Sequence, residues 1–342
     1  MKNKNRLDWI DISKFISITL VIWLHFGAPH FIDIFVHLFH MPVFFFLSGL
    51  CFRPEKYESF SLFAANRARR LLRPYLIVAV LSYLFWTPIH WLVLPERVVS
   101  VPLFLRTLLF VNTTPVPPVT YLWGGVQWFL TSLFFCELLF FTIYKSFPNS
   151  IIRNIVCTFI SLIVIFIYSS QNFIRLPLAF DTALVALSFY CFGFYFRKIN
   201  FKEAELSKNV LYLLLSLFAT AIIFFFTRST NLRLMKFGRI PILYLPGGLF
   251  GSLSIIFAGN ILDKIIKNSQ LRNNMFLLGR NTLFLLYSHR FFDGIDKTIL
   301  HLAGVDFPSK YIKVIYFIIM IIVFLIISIP ILNIWEKQKS KL

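Results

Sequence analysis

An all-α, polytopic membrane architecture is expected from this chain because apolar residues dominate it, charge is scarce, and the apolar residues gather into runs of bilayer length. Of its 342 residues 58% are hydrophobic and 14% charged, against roughly 25% charged in an ordinary soluble domain. Phenylalanine alone occurs 43 times, spread through many separate runs. A helix needs about 20 predominantly apolar residues to cross the hydrocarbon core, and inside it every backbone polar group must be satisfied within the protein.

Taken in order, ten segments fit this requirement: 12–28, 37–52, 74–94, 126–144, 155–170, 179–196, 210–227, 244–262, 276–293 and 312–333. The first is not flanked like a cleaved signal. It has no small-residue cleavage site and contains Lys14 and His25, so it is expected to be retained. The loops give the orientation. Lys2, Lys4 and Arg6 precede the first span. The loop after the second carries Arg53, Lys56, Arg67, Arg69, Arg70 and Arg73, and later loops carry Lys145 and Arg153, then Arg197, Lys198, Lys202 and Lys208, then Lys264, Lys267 and Arg272. With the tail lysines Lys337, Lys339 and Lys341, all of these fall on one side of a ten-span chain. That is the positive-inside pattern, and it places both termini in the cytoplasm. It also accounts for the net charge of +19 without nucleic acid, since no soluble basic domain is present to hold it.

One loop breaks the pattern. Arg228, Arg233, Lys236 and Arg239, between the seventh and eighth spans, would lie outside. Either that stretch is misassigned or it is a basic surface facing an acidic ligand. The longest outer connection, 95–125, contains Pro95, Pro102, Pro115, Pro117 and Pro118. Its apolar stretch 103–111 is too short to span and reads as a re-entrant or interfacial helix. No repeat or low-complexity tract interrupts the chain, which is read as a single domain, 1–342. Cys51, Cys136, Cys157 and Cys191 match no metal or redox spacing and are expected to be small core residues.

Chemistry-bearing residues stand out against this apolar background. Lys14 and His25 are eleven residues apart in the first span, three helical turns plus about 20°, so they share one face ~16 Å apart along the axis. Ionisable groups on a membrane helix are expensive and by default face a protein interior or a wet cavity. His25 suits a general base towards a hydroxyl. Lys14 either snorkels to the interface or meets a phosphate or thioester. Asp11, one turn earlier, and Asp8 are candidate partners for Lys14. Arg67, Arg70 and Arg73 recur every three residues, and clustered guanidinium groups suit a phosphorylated ligand. Glu137, deep in the fourth span, needs a partner such as His25 or an arginine, or else a proton. His289, near the outer end of the ninth span, can line the same cavity as His25. His37 and His40 are expected at the surface or interface.

Five segments together resemble the acyltransferase-3 family of integral-membrane acyltransferases, especially its fucose 4-O-acetylase-like branch. Arg6-Leu7-Asp8, with Asp11 and Lys14, leads to His25 in the family's Arg/Lys-to-His pattern. The run from His40-Met41-Pro42 through Phe44-Phe45-Phe46-Leu47-Ser48-Gly49 is similar to its Met-Pro signature. Arg70-Leu71-Leu72-Arg73-Pro74-Tyr75 is similar to its Arg-x-x-Arg loop. Trp128-Phe129-Leu130 followed by Glu137 resembles its fourth span, and Asn281-Thr282 through His289 its late segment. The stretch 145–260 offers little signature, and the esterase-like domain appended in some members of the family is not expected here.

The resemblance implies an acyl-CoA donor, commonly acetyl-CoA, as a substrate from the cytoplasm, with no permanently bound cofactor. Arg70 and Arg73, with Arg67 in reserve, would bind its phosphates, and Lys14 would guide the thioester. His25 would either deprotonate the acceptor hydroxyl or briefly carry the acyl group. Glu137 would orient His25 or hold a proton, and Asp11 and His289 are counted with the substrate-binding residues. The implied acceptor is a sugar hydroxyl of a lipid-linked or surface polysaccharide in the cell (inner) membrane, with polysaccharide-assembly proteins as partners. A transporter or flippase for an anionic or glycan solute is the alternative. It lacks the inverted-repeat signal expected of that class. A structural scaffold explains neither Lys14 with His25 nor the arginines.

Overall fold

A computed structural model describes residues 8–93, 98–111, 126–170, 174–199, 204–305 and 310–339. Lys2, Lys4, Arg6, Leu7, Lys202 and Lys341, and the prolines Pro95, Pro115, Pro117 and Pro118, lie outside the described residues. Among the described residues there is no strand, only an isolated bridge between Asn231 and Lys236.

Helix α1 (Asp8–Phe26) opens with Asp8 and Asp11, whose carboxylates meet the positive end of the helix dipole, and stops at Gly27, where φ is +99°. Helices α2 (His30–Val36) and α3 (His40–Cys51) follow. The Ser59 hydroxyl caps α4 (Phe60–Arg67), accepting from the Leu62 N–H at 3.3 Å. Instead of stopping, α4 runs through a π-helical turn, Ala68–Leu72, into α5 (Arg73–Val93). The short α6 (Val101–Leu109) cannot span; the Tyr83 hydroxyl donates to the Val99 carbonyl just before it at 3.1 Å, and the Tyr75 hydroxyl to the Leu108 carbonyl in its last turn at 2.6 Å. Then come α7 (Trp128–Ser146), α8 (Ser150–Ser170), α9 (Phe180–Phe196), α10 (Leu206–Thr227) and α11 (Tyr244–Ile265). The Asn268 side chain caps α12 (Ser269–Arg280), and α13 (Thr282–Leu302) and α14 (Lys310–Lys339) complete the order.

Among the described residues nine helices are long and apolar enough to cross a membrane, so this is a helical, polytopic membrane protein. Nine of the ten expected segments find such a helix. The exception is 276–293, which breaks at Asn281 between α12 and α13. With 21 residues α13 is long enough, but Arg290, Asp293, Asp296 and Lys297 make it less apolar than the others. The third crossing also begins earlier than expected, because the turn Ala68–Leu72 keeps Phe60–Val93 continuous.

The polarity of the packing is the reverse of a water-soluble fold. Asp11, Glu137, Asp181 and Asp293 are buried, while Leu84, Phe166, Phe218 and Ile326 are exposed. Lipid imposes this arrangement, because it cannot solvate a carboxylate but competes for no hydrophobic driving force.

The chain divides into two compact units. One comprises Met1–Phe44, Ile199–Phe225 and Pro246–Leu342; the other comprises Phe45–Lys198 and Phe226–Leu245. Inside the first, α12 packs so closely on α1 that a Cβ at Gly279 would lie 1.9 Å from the Asp11 carbonyl oxygen. Inside the second, Gly49 and Gly193 allow a reciprocal approach: a Cβ at either would come within 2.0 Å of the Tyr190 or Phe46 carbonyl oxygen. Gly49 closes the Ser-Gly end of the Met-Pro segment, and its close approach is a packing reason for glycine there.

Two expectations need correction. His40 is buried rather than interfacial, its Nδ1 donating to the Val36 carbonyl at 3.1 Å and its ring edge-on to His37 at 4.7 Å. Cys136, Cys157 and Cys191 are buried, but Cys51 is exposed because it is the last residue of α3.

Candidate active site

In the first unit α1 and α13 bring two histidines together. The His25 and His289 ring centroids are 5.2 Å apart with the planes tilted by 35°. His289 is fully buried, and its Nδ1–H donates to the Leu285 carbonyl at 2.8 Å, one turn back. In a neutral ring that fixes the tautomer and leaves Nε2 as a bare acceptor. Nε2 has no hydrogen-bond partner among the described residues. An orphaned buried acceptor costs about 1–3 kcal/mol, so its presence beside a second imidazole points to an incoming donor. Phe26 and Phe292 pack 6.1 Å apart next to the pair and supply an apolar wall.

The same face of α13 carries further charge. Asp293 is buried one turn after His289, and its carboxylate receives Arg290 Nη1 at 2.8 Å and Lys297 Nζ at 2.8 Å. Asp296, a turn later, accepts from the Tyr316 hydroxyl at 2.5 Å. His289, Asp293 and Asp296 therefore form a stripe at i, i+4 and i+7, turned inward and internally compensated.

At the other end of α1 the carboxylates meet arginines of α12. Asp11, 2% exposed, pairs with Arg280 Nε at 3.2 Å. Asp8 lies 3.5 Å from Arg272, which also bridges to Asp263. Lys14, for which Asp11 and Asp8 were candidate partners, is half-buried on α1 between these carboxylates and His25.

The second unit holds the arginines and Glu137. Arg67 Nε stands 3.1 Å from Glu137 Oε2, with the side chains 16% and 5% exposed. The Tyr190 hydroxyl donates to Glu137 Oε1 at 3.4 Å. Arg67 also lies over the Phe63 ring, 5.2 Å from its centroid. The π-helical turn that follows breaks the three-residue recurrence expected of a regular helix: Arg67 is drawn in, whereas Arg69, Arg70 and Arg73 are exposed. A π-helical turn is a frequent mark of a functional site.

A family model described as an acyltransferase domain matches residues 7–333. The chain belongs to the acyltransferase-3 family. No curated protein and no solved structure matches it. The membership makes this a membrane acyltransferase that draws on an acyl donor. In the acyltransferase, the match runs through α1, the Ala68–Leu72 turn, α7 and α13, the elements that carry His25, Arg70, Glu137 and His289. Sequence reasoning had missed Arg280 as the partner of Asp11, Tyr190 as a donor to Glu137, and the Asp293–Asp296 stripe. The stripe had a signal, since acids at i+4 and i+7 from a membrane-helix histidine share its face. An arginine was among the partners expected for Glu137, but no local pattern pointed to Arg67, Tyr190 or Arg280 in particular, because they are 70, 53 and 269 residues distant in the chain from the carboxylates they meet.

Proposed function

We propose that this acyltransferase takes an acyl group, acetyl foremost, from acyl-CoA on the cytoplasmic side and esterifies a sugar hydroxyl of a surface or lipid-linked polysaccharide, as a fucose 4-O-acetylase-like enzyme of the cell (inner) membrane. The reading treats 1–342 as one acyltransferase domain. It counts Thr282–Leu302 as a tenth crossing, with both termini cytoplasmic, on the ground that its charges pair with one another. The observation that carries the chemistry is the unpartnered His289 Nε2 beside the His25 ring.

His25 serves as general base. It takes the proton of the acceptor hydroxyl as that oxygen attacks the thioester carbonyl carbon. The carbon–sulfur bond breaks, the departing thiolate receives the proton back from His25, and an ester and free CoA result. His289 Nε2 accepts a hydrogen bond from a neighbouring hydroxyl of the acceptor sugar or shares the proton on His25. Asp11, held by Arg280, fixes the start of α1 and so the place of Lys14, which guides the thioester. The exposed Arg70 and Arg73 take the donor's phosphates through charge-assisted hydrogen bonds. Glu137 acts as a positioning residue: it draws Arg67 inward and so sets the turn that presents Arg70 and Arg73.

The test compares surface glycan from cells carrying wild type or His25→Ala at equal expression, by proton NMR for O-acetyl signals lost on mild base. A signal with wild type alone supports the assignment. An undiminished signal with His25→Ala overturns the role of His25, and glycan that is relocated but never acylated favours the transporter.

A further inference from the structure

The basic loop that broke the charge pattern is a folded cap. Between Thr227 and Ile240 the chain bridges Asn231 to Lys236 through two backbone hydrogen bonds of 2.7 and 3.0 Å, and the Arg239 N–H returns to the Thr227 carbonyl at 2.9 Å. Leu232, Met235 and Phe237 are buried as its plug. From the same unit, Arg175 Nη1 donates to the Arg233 carbonyl at 2.8 Å while its Nε pairs with the fully buried Asp181 at 2.6 Å. Arg228 and Met235 are held at φ of 60° and 53°. Non-glycine residues adopt that region at a cost of order 1–3 kcal/mol, and they keep it only where the surroundings over-determine it.

This frame leaves a cavity of about 1150 Å³ against the end of α8. Its polar wall carries Arg228, Lys236 and Arg239, all exposed, with Ser169 and Ser229 hydroxyls beside them. Among the described residues no carboxylate lines it. Its other wall is apolar and includes Phe166 and Ile242, which are 72% and 61% exposed and therefore face lipid. Cations on the side of a ten-span chain where the positive-inside rule disfavours them, fixed in a rigid cap and adjoining a lipid-facing apolar wall, match an amphiphile with an anionic head.

We propose that this cavity binds the phosphate head of a membrane lipid, with the head on Arg228, Lys236 and Arg239 and the chain along Phe166 and Ile242. The site is built wholly from residues of the second unit, and the proposal does not depend on acyl transfer. The lipid phosphate can belong to a bulk phospholipid or to a polyprenyl-phosphate carrier of a sugar, and the two sources are separable by experiment.

The full-length protein, purified in detergent, is titrated with phosphatidylglycerol, with a polyprenyl phosphate and with zwitterionic phosphatidylcholine, and bound lipid is counted by native mass spectrometry. Wild type is expected to retain at least one of the two anionic lipids over phosphatidylcholine. The triple variant Arg228→Asn, Lys236→Gln, Arg239→Gln, in which asparagine keeps the left-handed backbone at 228, is expected to lose about tenfold or more in that preference. Should the triple variant not fold, Lys236→Glu alone, at an exposed side chain, gives the same comparison. Retention of both anionic lipids assigns the site to bilayer phosphate, and retention of the polyprenyl phosphate alone assigns it to the carrier. Equal retention of all three lipids by wild type, or an anionic preference unchanged in the folded variants, overturns the proposal.

Discussion

Arg67 Nε stands 3.1 Å from Glu137 Oε2 at the point where α4 passes into the π-helical turn, so one buried ion pair ties the arginine segment to the fourth predicted span. Removing one member of such a pair strands the other charge, at about 3–5 kcal/mol. Glu137→Ala is therefore expected to lower the melting temperature in detergent sharply. Arg67→Leu combined with Glu137→Leu should recover most of the loss, because it removes both charges. A double variant no more stable than Glu137→Ala would show that the pair is not what holds this turn.

Arg70 and Arg73 present the opposite behaviour. Both are exposed, so Arg70→Ser and Arg73→Ser should leave thermal stability nearly unchanged. A charged hydrogen bond to a phosphate contributes about 1.5–3 kcal/mol, so each change should raise the KM for acyl-CoA roughly tenfold or more while altering kcat little. Steady-state kinetics with varied donor would decide it. A fall in kcat at constant KM would assign these arginines another task.

If His25 and His289 act as one unit, their losses do not add. His25→Ala should reduce kcat by about 10²–10⁴-fold, the usual contribution of a general base. His289→Ala should reduce it by a smaller factor, and the double variant should resemble His25→Ala alone. His289→Gln, which can place an amide group near the position of Nε2, should retain more activity than His289→Ala. Fully multiplicative losses in the double variant would mean that the two rings serve separate steps.

Gly279 tests the packing of α12 on α1. A methyl group there would sit 1.9 Å from the Asp11 carbonyl oxygen, a backbone atom that cannot rotate away. Gly279→Ala should destabilise the protein by about 1–3 kcal/mol or more and disturb the Asp11–Arg280 pair. Gly304→Ala offers the contrast: nothing lies within 4 Å of its Cβ position, but φ there is +62°, so only the local backbone is strained. Thermal melts of the two variants should show the larger drop for Gly279→Ala, and a milder effect than for Gly304→Ala would contradict the close approach.

What the sequence by itself determined was local. Hydropathy in windows of about 20 residues located nine crossing helices to within a few residues at most ends, because the cost of apolar and polar groups in lipid is a property of the segment. It also singled out His25, Lys14, Glu137 and His289, since any ionisable group in such a segment needs a reason. The tertiary structure decided which groups meet. Asp11 turns to Arg280 rather than only to neighbours on its own helix, Glu137 takes Arg67 and Tyr190, and His25 finds His289. It also decided that the ninth segment breaks at Asn281, that the arginine recurrence is split by a π-helical turn, and that the basic loop folds into a cap. These outcomes depend on close packing between segments far apart in the chain, where a glycine or a single hydrogen bond selects one partner among several, and no local pattern records that choice.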